Sequence, residues 1–172
     1  KRQPGNIETG AFVSPESGNF VARFNREFYV GTPEVAAFAT NPGQVLLVDG
    51  RTDEQFYAGS KHPKAAKAGR IPSAILMDQD KAYSPEGNRL KSRDELASIY
   101  SDLGDKTIVS YCNTGHWAAT NWFVMSEILG QKNVKLYDGS MVEWTANSDL
   151  PIDTSGKSNM QKIKDMFSGL LG

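Results

Sequence analysis

Short apolar runs alternate with longer polar or amphipathic segments along most of the chain. Four of these runs are rich in aliphatic and β-branched residues and have the length of strands that are buried on both faces. They lie at residues 45–49, 74–77, 107–111 and 134–138. Helical segments separate them, and right-handed crossovers place helices on both faces of a parallel sheet. The pattern therefore predicts a three-layer α/β fold with a mostly parallel central sheet.

Capping residues predict where the helices begin and end. Thr32 is expected as the N-cap of the first helix, because Pro and Glu follow it and suit the first helical turn. Ser92 and Glu95 form a capping box before the second helix, and Gly130 is a suitable C-cap for the third. The expected helices cover about residues 32–40, 92–103, 116–129 and 141–146.

Composition divides the chain into an arm, a body and a tail. Residues 1–31 are rich in Gly, Pro, Asn and Ser but carry several aromatic residues, so we expect an extended arm that packs on the body. The body occupies residues 32–152. Residues 153–172 begin as a loop and continue as an amphipathic helix, which Ser158 and Gln161 open as a capping box. We expect its apolar stripe to dock on the body, with membrane or partner binding as the alternative: Met160, Ile163, Phe167, Leu170 and Leu171.

Charge and hydropathy exclude several classes of partner. The chain has 172 residues, which suits one domain, with 19 basic and 20 acidic side chains. This balance offers no electrostatic footprint for nucleic acid or anionic lipid. No apolar run approaches the roughly 20 residues that a membrane span needs. The chain begins without Met or a hydrophobic signal core, so we expect a processed or trimmed start, which leaves the compartment open.

The single cysteine follows a predicted strand and precedes a predicted helix. In open α/β sheets ligands bind at the carboxyl ends of strands. There, backbone N–H groups and the positive end of a helix dipole stabilise an anion, so Cys112 is a candidate nucleophilic thiolate. Gly115 suits a tight loop packed against the sulfur. On spacing alone, a single Cys after an apolar strand is more often an inert, buried small residue.

Metal chemistry is not expected. Only Cys112, His62 and His116 are available as Cys or His ligands, and the usual zinc frameworks need four.

Four ordered motifs resemble the rhodanese family, and specifically the second domain of tandem thiosulfate or mercaptopyruvate sulfurtransferases. The resemblance covers about residues 32–152. It rests on VLLVDGRTDEQFYAG (45–59), GRIPSAILM (69–77), CNTGHWA (112–118) and YDGSMVEW (137–144). Residues 1–31 resemble the connection between tandem domains, which implies a longer precursor with an N-terminal rhodanese-like domain. Because some tandem relatives are exported, the resemblance favours a bacterial periplasmic setting over the cytoplasm.

The resemblance implies a double-displacement sulfur transfer without metal or organic cofactor. The thiolate of Cys112 takes the outer sulfur of a small donor such as thiosulfate, and a thiophilic acceptor, cyanide or a thiol, removes it. Asp49 and Arg51 match the family's Asp-x-Arg and are expected to hold the loops. The remainder of the expected substrate-binding loop is Asn113, Thr114, Gly115, His116 and Trp117.

Departures from the family's pattern concern charge. Gln55, Asn113 and Thr114 stand where thiosulfate-active members often carry basic side chains, so thiosulfate is expected to bind weakly. His116 supplies charge when protonated or simply faces solvent, and Trp117 either walls the pocket or packs in the core.

A locally basic stretch covers residues 61–67 and is followed by Arg70, which replaces the family's usual His. We interpret it as a solvated loop, with a rim that attracts anionic donors as the alternative.

Two other functions compete with sulfur transfer. The first is a catalytically weak rhodanese-like module that binds a partner or relays sulfur. The second is a cysteine phosphatase or arsenate reductase, which needs an Arg at the end of the loop to clamp the oxyanion. The residues after Gly115 are His116, Trp117 and Ala118, so the sequence disfavours the second class.

Overall fold

A four-stranded parallel sheet forms the centre of the computed structural model, which describes residues 9–11, 14, 16–23, 25–43, 45–86, 89–104, 106–158 and 160–163. Its strands are β1 (Val45–Asp49), β2 (Ile75–Leu76), β3 (Thr107–Tyr111) and β4 (Val134–Leu136). They lie in the order β2-β1-β3-β4. β1 and β3 pair along their full length, from Val45 opposite Thr107 to Asp49 opposite Tyr111. The two central strands therefore end at the same edge, and the residues that follow them lie close together.

Helices surround this sheet at the four predicted positions, and a short helix that was not predicted follows β1. They are α1 (Thr32–Thr40), α2 (Asp53–Phe56), α3 (Arg93–Ile99), α4 (His116–Phe123) and α5 (Ser140–Ala146). Three short 3₁₀ segments lie at Arg26–Phe28, Gln79–Ala82 and Ser101–Leu103, and a π-helical segment, Val124–Ile128, continues α4. The predicted strands at 45–49 and 107–111 are confirmed, whereas those at 74–77 and 134–138 are shorter than expected.

Two apolar clusters cover opposite faces of the sheet. Leu47 and Val109 contribute to the cluster beneath α1 and α5. Their chain neighbours Val48 and Ile108 contribute to the cluster beneath α3 and the π-helical segment. Successive side chains of a strand point to opposite faces, so β1 and β3 are buried on both sides. The predicted three-layer α/β fold is confirmed.

Capping geometry agrees with the sequence at α3 and differs at α1. The N–H of Ser92 donates to Glu95 Oε2 at 2.9 Å, as a capping box requires. At α1, Gly31 is the N-cap and Thr32 is already helical. The prediction of Thr32 as N-cap is wrong because its hydroxyl bonds instead to Tyr137 Oη at 2.7 Å and to Glu143. A tertiary contact has replaced the local one.

The end of the arm packs on the body, whereas an earlier described part of it is exposed. Phe20 and Val21 are 90% and 74% exposed, so the expectation that they pack on the body is wrong. Phe28 meets Trp122 edge to face at 5.6 Å between ring centroids, and Val30 is buried. The body therefore holds the arm from about residue 28 onward.

The tail begins as predicted. The Ser158 N–H donates to Gln161 Oε1 at 2.8 Å, and the Gln161 N–H donates to Ser158 Oγ at 3.1 Å. Residues 160–163 are helical, with Met160 and Ile163 about half exposed. Phe167, Leu170 and Leu171 lie outside the described residues. Within the part of the chain that is described, no helix is long and apolar enough to cross a membrane.

Candidate active site

Cys112 follows the last residue of β3 and is held in place by α5. Its side chain and backbone are buried, with 1% of the residue exposed. The carbonyls of Cys112 and Asn113 accept hydrogen bonds from Met141 N–H and Val142 N–H, each at 3.0 Å. The first N–H groups of a helix have no partners within the helix. The loop thus satisfies the start of α5, and α5 fixes the loop.

Ser140 binds the other side of the Cys112 backbone. Its Oγ accepts the Cys112 N–H at 3.0 Å and donates to the Tyr137 carbonyl at 2.9 Å. Ser140 is fully buried and has a φ of +51°, a left-handed conformation that is costly for a residue with a Cβ. In the sequence, Ser140 belongs to the 137–144 motif, and no local pattern there indicates this contact with Cys112.

Gly115 is required for two reasons. Its φ is +83°, and a Cβ at this position would overlap the carboxylate of Asp138. Its carbonyl accepts the Ala119 N–H at 2.8 Å, which begins α4. The predicted need for glycine holds, but the neighbour that enforces it is Asp138.

A cavity of about 360 Å³ opens beside Cys112. The residues predicted for the catalytic loop line this cavity, with the exception of Gly115, and His62 lines it as well. The full lining is His62, Cys112, Asn113, Thr114, His116 and Trp117. Trp117 is 37% exposed, so it walls the cavity and does not pack in the core. From the sequence, His62 was expected only in a basic, solvated loop, and its place in the cavity was not predicted. Neither Lys nor Arg is among the described residues that line this cavity.

Two of the three uncharged residues at the expected cationic positions, Gln55 and Asn113, bond to each other. Asn113 Nδ2 donates to Gln55 Oε1 at 2.8 Å, and Asn113 is 3% exposed. Gln55 is not among the described residues that line the cavity. The buried Asn113 Oδ1 has no hydrogen-bond partner among the described residues.

Asp49 and Arg51 form a buried ion pair behind the loop. Arg51 Nη2 lies 2.7 Å from Asp49 Oδ2 and also donates to the Gly69 carbonyl at 2.8 Å. Burial opposes the guanidinium charge, but the Asp49 carboxylate outweighs burial and raises the pKa of Arg51 above its ordinary value. A Cys112 thiolate acts in the same direction. The pair connects the carboxyl end of β1 to the 69–71 segment, which is the loop-holding contact that the sequence predicts.

The basic stretch before β2 is mostly engaged with the protein itself. Lys61 Nζ donates to the Ala65 carbonyl at 2.7 Å, and Lys67 Nζ to the Ser148 carbonyl at 3.1 Å. Arg70 forms an ion pair with Asp153 at 2.6 Å and lies 4.5 Å from the centre of the Phe56 ring. The alternative of a basic rim is therefore wrong for Arg70, whose charge ties the segment after α5 to the body.

Relatives of known name share this chain's sequence over much of its length. It is 37% identical over 156 residues to a thiosulfate sulfurtransferase of Corynebacterium glutamicum, covering 84% of this chain and 51% of that protein. It is 38% identical over 119 residues to the sulfur carrier protein TtuD of Thermus thermophilus, covering 64% and 41%. The chain thus spans about half the length of the curated relatives it matches.

Solved structures share the fold. The Tum1 protein of Saccharomyces cerevisiae matches with a TM-score of 0.66 at 20% identity, covering 77% of this chain and 49% of that one. The family described as Rhodanese-like domain matches residues 32–147, which include the β3 to α4 loop and α5. The sequence motifs, the parallel sheet and the cysteine loop therefore agree, and the chain belongs to the rhodanese-like domain family.

Proposed function

We propose that this protein transfers sulfane sulfur through a persulfide on Cys112. The observation that carries the proposal is the position of Cys112, in a loop between a central strand and α4 that lines a 360 Å³ cavity. The thiosulfate sulfurtransferase relative supports the same reaction class.

The reaction has two displacement steps. In the first, the Cys112 thiolate attacks the outer sulfur of the donor, and the bond to that sulfur breaks with its electron pair leaving on the donor remnant, which is sulfite when thiosulfate is the donor. In the second, cyanide or a thiol attacks the outer sulfur of the persulfide, and the S–S electron pair returns to Cys112. Backbone N–H groups at the start of α4 supply the electrostatic support, and neither step needs a metal or an organic cofactor.

Donor choice follows from the charge of the cavity. The described residues that line it contribute no Lys or Arg side chain. Charge-assisted hydrogen bonds are roughly twice as strong as neutral ones. We therefore expect thiosulfate, a dianion, to bind weakly compared with a donor that carries less charge.

A sulfur relay is the second candidate. One relative is named a sulfur carrier protein, and this chain spans about half of its relatives' length. In this alternative an N-terminal rhodanese-like domain of a longer precursor, or a separate protein, exchanges sulfur with Cys112.

Intact-mass measurement tests the proposal. The protein is incubated with thiosulfate or 3-mercaptopyruvate, and then with cyanide. We expect a gain of one sulfur that cyanide removes and that Cys112→Ser abolishes. If neither donor adds sulfur to the wild-type protein, the enzymatic proposal is wrong.

A further inference from the structure

Two imidazoles line the cavity beside Cys112, and sulfur transfer to a thiol requires proton movement. His116 begins α4, whereas His62 lies on the loop after α2. A thiol acceptor must lose its proton to attack a persulfide, whereas sulfite is already an unprotonated nucleophile at mildly alkaline pH. A base in this cavity would therefore act in the second step of the function proposed above, and only with protonated acceptors.

The backbone determines which nitrogen of His116 carries the proton. Nδ1 lies 3.2 Å from the Thr114 carbonyl and 3.3 Å from Thr114 Oγ1. A carbonyl oxygen only accepts, so Nδ1 must be the protonated nitrogen of the neutral ring. The lone pair is then on Nε2, which bonds to none of the described residues. His116 is exposed on the cavity rim, where an acceptor can reach it.

His62 has the opposite tautomer. Its Nδ1 accepts the Lys64 N–H at 3.2 Å. In the neutral ring the proton is therefore on Nε2, and this nitrogen donates but cannot take up a proton. The same cavity thus holds two histidines of which His116 alone presents a free basic nitrogen.

We propose that His116 is the general base that activates a thiol acceptor, which makes thiols the acceptor class for which the cavity is built. This proposal rests on the persulfide function. The S–H proton of the acceptor moves to His116 Nε2, and the acceptor sulfur bonds to the outer sulfur of the Cys112 persulfide. The S–S bond to Cys112 breaks, its electron pair remains on Cys112 as a thiolate, and the product persulfide leaves as its anion or recovers the proton from His116.

The test separates the second step from the first. Protein preloaded with sulfur and freed of donor is mixed with 2-mercaptoethanol or with sulfite at mildly alkaline pH, and discharge is followed by intact mass. Positioned bases contribute about 10²–10⁴-fold to a rate, so His116→Gln should lower the ratio of the thiol rate to the sulfite rate by about 100-fold. Added imidazole should restore part of the thiol rate, and an aryl thiol that is ionised at the assay pH should show no such fall.

His62→Gln is the matched control, because it alters the same cavity without removing a free basic nitrogen. We expect it to change the thiol and sulfite rates in the same proportion. An unchanged ratio in His116→Gln, or an equal fall of the ratio in His62→Gln, would overturn the assignment. Absence of sulfur on preloaded wild-type protein would instead refute the persulfide function itself.

Discussion

Replacing Ser140 by Ala tests how α5 holds the Cys112 loop. The change removes the acceptor of the buried Cys112 N–H and the donor to the Tyr137 carbonyl. A buried donor left without a partner costs about 1–3 kcal/mol, and the second hydrogen bond contributes about 1 kcal/mol more. Ala keeps the strained φ of +51°. We therefore expect Ser140→Ala to lower the free energy of unfolding by about 2–4 kcal/mol.

Urea unfolding measures this loss, provided that the slope with denaturant is unchanged. Ser140→Gly provides a second comparison, because it removes the same hydroxyl but accepts the left-handed backbone. Relief of about 1–2 kcal/mol of strain outweighs the roughly 0.5–1 kcal/mol that Gly loses in conformational entropy. The Gly variant should thus be the more stable of the two. A loss below about 1 kcal/mol in Ser140→Ala would refute the reasoning, since a buried unpaired N–H costs at least that much.

Three further predictions follow from the same neighbourhood. Gly115→Ala should lower the free energy of unfolding by more than Gly130→Ala, because both glycines have positive φ but only Gly115 has Asp138 against its Cα. If urea unfolding shows equal losses of free energy in the two variants, the role of Asp138 is contradicted. Asp49→Asn should lower the free energy of unfolding by about 3–5 kcal/mol, because it leaves the Arg51 charge buried without its partner. In a double-mutant cycle, the further change Arg51→Met should recover part of this loss, and strictly additive losses would count against the ion pair. Burial raises the phenol pKa of three tyrosines above the ordinary 10.0, to about 12 for Tyr137. A phenol whose pKa is higher in the folded than in the unfolded state stabilises the fold fully at pH values below the unfolded pKa. This stabilisation is lost as the pH rises through the folded pKa. The tyrosinate absorbance of the folded protein at pH 11 should therefore lack the contribution of Tyr100, Tyr111 and Tyr137, which should appear only when the chain unfolds. Full ionisation of all tyrosines in the folded protein would show that these phenols are not buried.

Local signals in the sequence were sufficient for the two central strands, most helices and the place of the cysteine loop. β1 and β3 are continuous apolar runs, and a strand with both faces covered needs such a run. The capping box at Ser92 depends on residues three positions apart, and the positive φ at Gly115 favours glycine by itself. Because these preferences act over one turn or one strand, the sequence was enough to place Cys112 at the carboxyl edge of a parallel sheet.

Tertiary structure decided what surrounds that sulfur. Ser140 reaches the Cys112 N–H from 28 residues away, Gln55 holds Asn113 from 58 residues away, and Arg70 bonds to a partner 83 residues away. His62 enters the cavity on a loop whose sequence indicates only a basic, solvated segment. Thr32, a residue type that is favoured at N-caps, bonds instead to Tyr137. Side-chain hydrogen bonds depend on which loops the packed layers bring together, and no local pattern in the sequence encodes that geometry.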